Sequence, residues 1–263
     1  MSRKIWWTDF AAPEYDRVDP LRTIAILPIA AVEQHGPHLP VGTDTILNQG
    51  CLDLLAARAP ADLDIRILPI QSVGKSNEHI WARGTVSHTA HSLIDGWFEL
   101  GQSVARAGIR KLVFVNSHGG NEEIMGIVAR ELRVRENMFV VKTGWTRFLP
   151  PEGMLSPVEK RHGIHAGDLE TSLMLYFRPE LVHLDRRQDF VSIAARDEAE
   201  YVHLRPTGTH AYAWIASDLN PAGAVGNALA ATAEKGRAIA DAEVTGMLSL
   251  LDEVRRFPLP TAG

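Results

Sequence analysis

Cysteine is almost absent. Cys51 is the only one in 263 residues, which excludes an internal disulfide and any zinc or iron–sulfur site built from thiolates. It sits in a helical pattern and reads as a small core residue. Long apolar runs are missing too, and nowhere are there enough consecutive apolar residues to span a bilayer. The amino-terminal MSRKIWWTDFAAPEYDRVDP carries charge throughout and has no apolar stretch of signal-peptide length. A cytoplasmic, reducing location is the expectation. There is no excess of positive charge: the net charge of −5 gives no electrostatic reason to expect a nucleic acid or an anionic membrane as partner. The serine-hydrolase elbow G-x-S-x-G and the dinucleotide fingerprint G-x-G-x-x-G are both missing. Nor is there a low-complexity stretch, a flexible linker or an internal repeat, so residues 1–263 read as one domain.

What is present is ordinary in bulk and unusual in one respect. Hydrophobic residues make up 45% and charged residues 22%, enough for a substantial core. Short apolar runs at 23–30, 64–70, 111–117 and 138–143 have the length of buried strands. Segments 44–59, 91–107 and 122–135 between them show helical periodicity. This alternation predicts βαβ units and a three-layer α/β/α fold with a mostly parallel central sheet. The Pro- and Gly-rich region 148–163 reads as a loop able to serve as a lid, and 226–255 reads as a long Ala-rich helix. The oddity is histidine, with eleven residues, most of them between His35 and His165.

Ligands of an open parallel sheet collect beyond the carboxyl ends of its strands. EQHGPHLPVGTD (Glu33–Asp44) follows the first apolar run, and NSHGGN (Asn116–Asn121) follows the third; each precedes a helix. The two loops are therefore expected on the same edge of the sheet. A third polar segment, HGIHAGDLETSLML (His162–Leu175), places Glu170 beside an apolar stripe of Leu169, Leu173 and Met174. Together Glu33, His35, Asp44, His118, His165 and Glu170 offer imidazole nitrogen and carboxylate oxygen without thiolate. That donor set suits zinc, manganese or another first-row divalent ion, and it is large enough for two ions sharing a carboxylate.

Each piece taken alone has a plainer explanation. Asp44 is well placed as a helix N-cap. NSHGGN reads as an anion-binding turn at a helix N-terminus, and Glu170 as half of a salt bridge. A non-catalytic anion-binding protein is accordingly the main competitor from another class. The carboxylates Glu33, Asp44 and Glu170 count against it, because they repel an anion and attract a divalent cation. A structural assembly protein would leave the clustering unexplained.

The residues resemble the creatininase (creatinine amidohydrolase) family over most of the chain. Five ordered blocks carry the resemblance: LPIAAVEQHGPHLPVGTD, GKSNEHIWARGT, NSHGGN, HAGDLETS and GAVGNALAATAEKG. It implies a two-metal hydrolase, commonly a homohexamer, that uses zinc and/or manganese, with iron as a further fit. By match to the family pattern, Glu33, Asp44 and His118 hold one ion. His35, Asp44 and Glu170 hold the other, with Asp44 bridging. His165 matches the histidine that assists proton transfer, here donation to the departing nitrogen after hydroxide held between the ions attacks an amide carbonyl. Ser76, Glu78 and His79, with Gly119 and Gly120, are the candidates for lining the substrate entrance. The chain departs from creatininase itself at Gly120, where that enzyme is acidic, and at Arg161, aligned with a pocket tryptophan for which Trp145 is a candidate substitute. The expected reaction is hydrolysis of a non-peptide or cyclic amide. The alternatives within the family are creatinine hydrolysis proper, deformylation and small-peptide hydrolysis.

Overall fold

All four apolar runs become strands of one parallel sheet, and the two central ones, Ile24–Ile29 and Lys111–Asn116, are buried on both faces. The computed structural model describes residues 3–259. After a one-turn helix α1 (Ala12–Tyr15), the sheet and its connections run β1 (Ile24–Ile29), α2 (Thr43–Arg58), β2 (Ile65–Ile67), α3 (Ala90–Arg106), β3 (Lys111–Asn116), α4 (Glu122–Glu136) and β4 (Phe139–Gly144). A second half follows with α5 (Pro157–His162), α6 (Asp168–Phe177), β5 (Asp189–Phe190), α7 (Ala194–Glu200), α8 (Ala216–Leu219), β6 (Gly226–Asn227) and α9 (Ala233–Arg256).

Side chains of β1 alternate between two cores, as the period of two requires. Ala25, Leu27 and Ile29 pack with Trp97 and Val104 of α3 and Met125, Val128 and Leu132 of α4. Ile24 and Ile26 pack with Leu52 and Leu55 of α2 and Val244, Met247 and Leu251 of α9. The three layers expected from the sequence are therefore present. A third cluster, including Leu47, Leu173, Met174, Phe190 and Ile239, joins α2, α6 and α9. Here Gly236 is obligatory for packing, since a Cβ on it would lie 1.9 Å from the carbonyl oxygen of Ser172.

Strand order in the sheet is β2-β1-β3-β4, all parallel. The chain leaves β1 in one direction for β2 and returns past it to β3, so the order reverses between β1 and β3. Their carboxyl ends are level, with Ile29 opposite Asn116. Such a switch point opens a crevice between adjacent loops, and the loops carrying Glu33, His35 and His118 both begin there.

Three boundaries differ from the sequence expectation. The second strand stops at Ile67 rather than Ile70 because Pro69 offers no N–H to the ladder. The 148–163 loop contains α5, started by the Ser156 hydroxyl accepting the N–H of Glu159 at 3.0 Å. The long helix begins at Ala233, not 226: Gly226 has φ +142°, outside helical space, and Thr232 caps Lys235 N–H. Residues 226–227 instead form β6, antiparallel to β5.

Candidate metal centre

The loop after β1 turns back through Gly36 (φ +66°) and delivers Glu33 and His35 to the sheet edge. Asp44 arrives on the first turn of α2. It is not the N-cap suggested by its sequence position: Gly42 occupies that place, and no side chain caps the helix. The Asp44 carboxylate points into the crevice instead. Its Oδ1 lies 3.3 Å from Nε2 of His35, and its Oδ2 lies 3.5 Å from Nδ1 of His118. Glu33 Oε1 completes the His118 side at 3.1 Å, and Glu170 Oε2 the His35 side at 3.9 Å. Ser117 donates its hydroxyl to the Asp44 carbonyl at 2.9 Å and so fastens α2 to the end of β3.

Hydrogen bonding fixes which nitrogen of each imidazole faces the centre. A carbonyl can only accept, so the ring nitrogen beside one must carry the proton. His35 Nδ1 donates to Glu33 O at 3.0 Å, His118 Nε2 to Lys75 O at 2.8 Å, and His165 Nε2 to Gln34 O at 2.7 Å. In its neutral form each ring thus turns an unprotonated nitrogen toward carboxylate oxygen. Metal-ligating histidines are held in this way, with the outer N–H tied to a carbonyl or carboxylate. His79 is the reverse. Gly36 N–H donates to Gln34 Oε1 (2.8 Å), which orients that amide so that its nitrogen donates to His79 Nδ1 at 2.7 Å. The proton of His79 is therefore on Nε2, 3.5 Å from Glu33 Oε1. In this tautomer His79 faces Glu33 with its N–H, and Glu33, His79 and His165 offer atoms within 4.8 Å of one another. Gln34, which sequence reading passed over, sets this tautomer and also donates to Gly223 O.

The centre is buried: Glu33 and Asp44 are 1% exposed and His35 is fully covered. Burial opposes charge on Glu33, but His118, His165 and His79 outweigh it and hold the carboxyl below its ordinary range. Burial raises Asp44 and pushes Glu170 up to about 7. His35 is driven up to about 10 because Asp44 and Glu170 overcome its burial, and His118 rises for the same kind of reason beside Glu33. His165 falls well below its ordinary value through burial and the neighbouring His35. The buried Glu33 and Asp44 and the part-buried Glu170 repel one another unless cations or protons lie among them. Glu33 Oε2, His35 Nε2 and Asp44 Oδ2 are buried without a well-aligned hydrogen bond. The residues present therefore fit divalent cations.

Glu170 and His165 are joined by a strained turn. Ala166, fully buried, has φ +56°, and its N–H donates to Glu170 Oε2 at 2.5 Å. A left-handed non-glycine residue costs on the order of 1 kcal/mol and persists where surrounding contacts demand it. His165 precedes α6, pairing with Val225 in an isolated bridge, and lies outside the helix's first turn. The buried Glu159 braces this region, accepting from Asp168 N–H (2.7 Å) and Asn227 N–H (2.8 Å).

Of the substrate-entrance candidates, Ser76, Glu78 and His79 come to the centre. Ser76 Oγ and Glu78 Oε1 each lie 3.4 Å from His118 Nε2. A Cβ built on Gly120 would meet Glu78 Oε1 and His118 Nε2, whereas nothing lies within 4 Å of one built on Gly119. Trp145 is no pocket residue: it is 3% exposed in the α2/α9 core, and its indole N–H donates to Asn48. Arg161 pairs with Glu198. His38 stays outside the centre, stacked on Phe190 and bonded to Thr171 Oγ1 at 3.0 Å. The 148–163 region lines a cavity of about 460 Å³ together with Thr146 and Leu169.

Buried carboxylates and oriented imidazoles at the switch point of a parallel sheet define an α/β protein with a cation-suited site. The chain belongs to the creatininase family, whose profile (creatinine amidohydrolase) matches residues 8–251. This is a family of hydrolases, and the resemblance seen in the five sequence blocks is borne out. A mycofactocin precursor peptide peptidase of Mycobacterium ulcerans (strain Agy99) is 32% identical over 81% of this chain and 78% of its own. A creatinine amidohydrolase of Pseudomonas putida is 31% identical over 72% of this chain and 78% of its own. A solved creatininase mutant described as Zn-Zn type shares the fold at TM-score 0.76 and 24% identity, covering 97% of this chain and 100% of that one.

Proposed function

We propose that the chain is a metal-dependent amidohydrolase that cleaves an amide C–N bond in a small molecule. The carrying observation is Asp44, whose two carboxylate oxygens face two different imidazoles at 3.3 and 3.5 Å. In this reading Glu33, Asp44 and His118 hold one divalent ion and His35, Asp44 and Glu170 the other, with zinc or manganese suited to the nitrogen and oxygen donors. When bound, the ions supply a water acidic enough to ionise near neutral pH and polarise the carbonyl under attack.

The chain's own groups do the rest. His165 is anchored through Nε2–H, which leaves Nδ1, 3.6 Å from Glu33 Oε1, to take a proton from the attacking water. The same atom then returns it to the departing nitrogen. His79 presents Nε2–H as a fixed donor for a developing oxyanion. Relatives named as peptidases and as a creatinine amidohydrolase are similarly identical. The expected non-peptide substrate is therefore widened to include short peptides, and a homo-oligomer remains part of the proposal.

Metal-loaded protein offered creatinine, formamides, cyclic amides and short peptides is expected to hydrolyse at least one of these classes. His165→Ala should lower kcat by about 10²- to 10⁴-fold while metal content stays at the wild-type level. Loss of metal in that variant would make His165 a ligand and refute the proton-transfer role.

A further inference from the structure

Glu78 reaches the centre from the far side of His118. Its Oε1 lies 3.4 Å from His118 Nε2, on the nitrogen opposite the one that faces Glu33 and Asp44. Glu33, Glu78 and His118 offer donor atoms within 4.8 Å of one another, but the nitrogen beside Glu78 is the one that carries the proton given to Lys75 O, so Glu78 faces the N–H side of the ring.

The space Glu78 occupies belongs to position 120. A Cβ on Gly120 would lie 2.4 Å from Lys75 O, 2.5 Å from Glu78 Oε1 and 2.6 Å from His118 Nε2. Those are the three atoms of one hydrogen-bonded unit: the His118 N–H, the carbonyl it bonds at 2.8 Å, and the carboxylate beside it. Any side chain at 120 would separate them. Glu78 reaches that space from the short helical turn Asn77–His79.

Resting on the two-metal reading above, we propose that Glu78 is a positioning residue for His118. With the Lys75 carbonyl it holds Nε2–H, fixing the tautomer and ring angle that keep Nδ1 toward the ion, and Gly120 is glycine to admit it. A carboxylate behind a ligating imidazole also increases its basicity, and losing such a partner typically weakens metal binding about 10- to 100-fold.

The test is zinc affinity by chelator competition on metal-stripped full-length protein, with ¹⁵N spectra of the histidine rings. Glu78→Ala should weaken one of two zinc sites about 10- to 100-fold, and the His118 ring should no longer show a single zinc-bound Nδ1, protonated Nε2 form. Glu78→Gln, which keeps an acceptor oxygen at the same reach, should recover part of the affinity and the single tautomer. Gly120→Ala should reproduce the Glu78→Ala defect by displacing the same carboxylate. Wild-type affinity at both sites in Glu78→Ala, or equal loss at both sites in Glu78→Gln and Glu78→Ala, overturns the positioning role. If the wild type itself binds no zinc, the two-metal reading fails, and that outcome is distinct from a Glu78 failure.

Discussion

At the scale of single residues, Asp44 carries more than any neighbour. Its position on the first turn of α2 gives a single carboxylate two partners on different loops, His35 after β1 and His118 after β3. Asp44→Ala is expected to abolish binding of both ions, whereas His35→Ala should remove chiefly one; elemental analysis of the purified variants reads the difference. Retention of both ions by Asp44→Ala would exclude bridging. The ligand candidates were legible in the sequence because they sit where apolar runs end and helices begin. Gln34, Ala166 and the pairing of Glu78 with Gly120 were not. Their roles arise from a tautomer, a backbone angle and a contact between residues 42 apart, none of which leaves a periodic signal.

Among the elements, α2 and α9 enclose a further buried acid that takes no part in the centre. Glu243 of α9 is 1% exposed, and the Cys51 thiol donates to its Oε2 at 3.6 Å. Burial pushes its carboxyl up to about 8. An acid raised in the folded state is neutral in the fold while the unfolded chain has already ionised. Its contribution to stability is fully present below the unfolded value of 4.5 and is lost as pH rises toward about 8. The loss amounts to about 1.4 kcal/mol per pH unit within that window. Glu243→Gln should therefore resist denaturant better than wild type at pH 8, with the gap narrowing toward pH 5. An equal gap at both pH values would show that the carboxyl is not held neutral. At the other end of α9, buried Lys111 donates to the carbonyls of Val254, Arg255 and Phe257 at 2.7–2.8 Å, a cation where a helix C-terminus favours one.

For the whole molecule, the sheet order is the feature from which the site follows. Reversal between β1 and β3 opens one crevice, and the loops on either side of it supply Glu33, His35 and His118. The parallel sheet was readable from four apolar runs separated by helical periods. The segment from 148 to 232 was less so, because its strands are two residues long and its helices, apart from α6, are under eight, too short to establish a period. Among the described residues no helix is long and apolar enough to cross a membrane. Hydrolysis is proposed to depend on two ions in this crevice. The direct test strips the protein with chelator, restores zinc or manganese stepwise, and follows amide hydrolysis and metal content together. Activity should vanish on stripping and return in full at two ions per chain. Undiminished hydrolysis by metal-free protein would contradict the account.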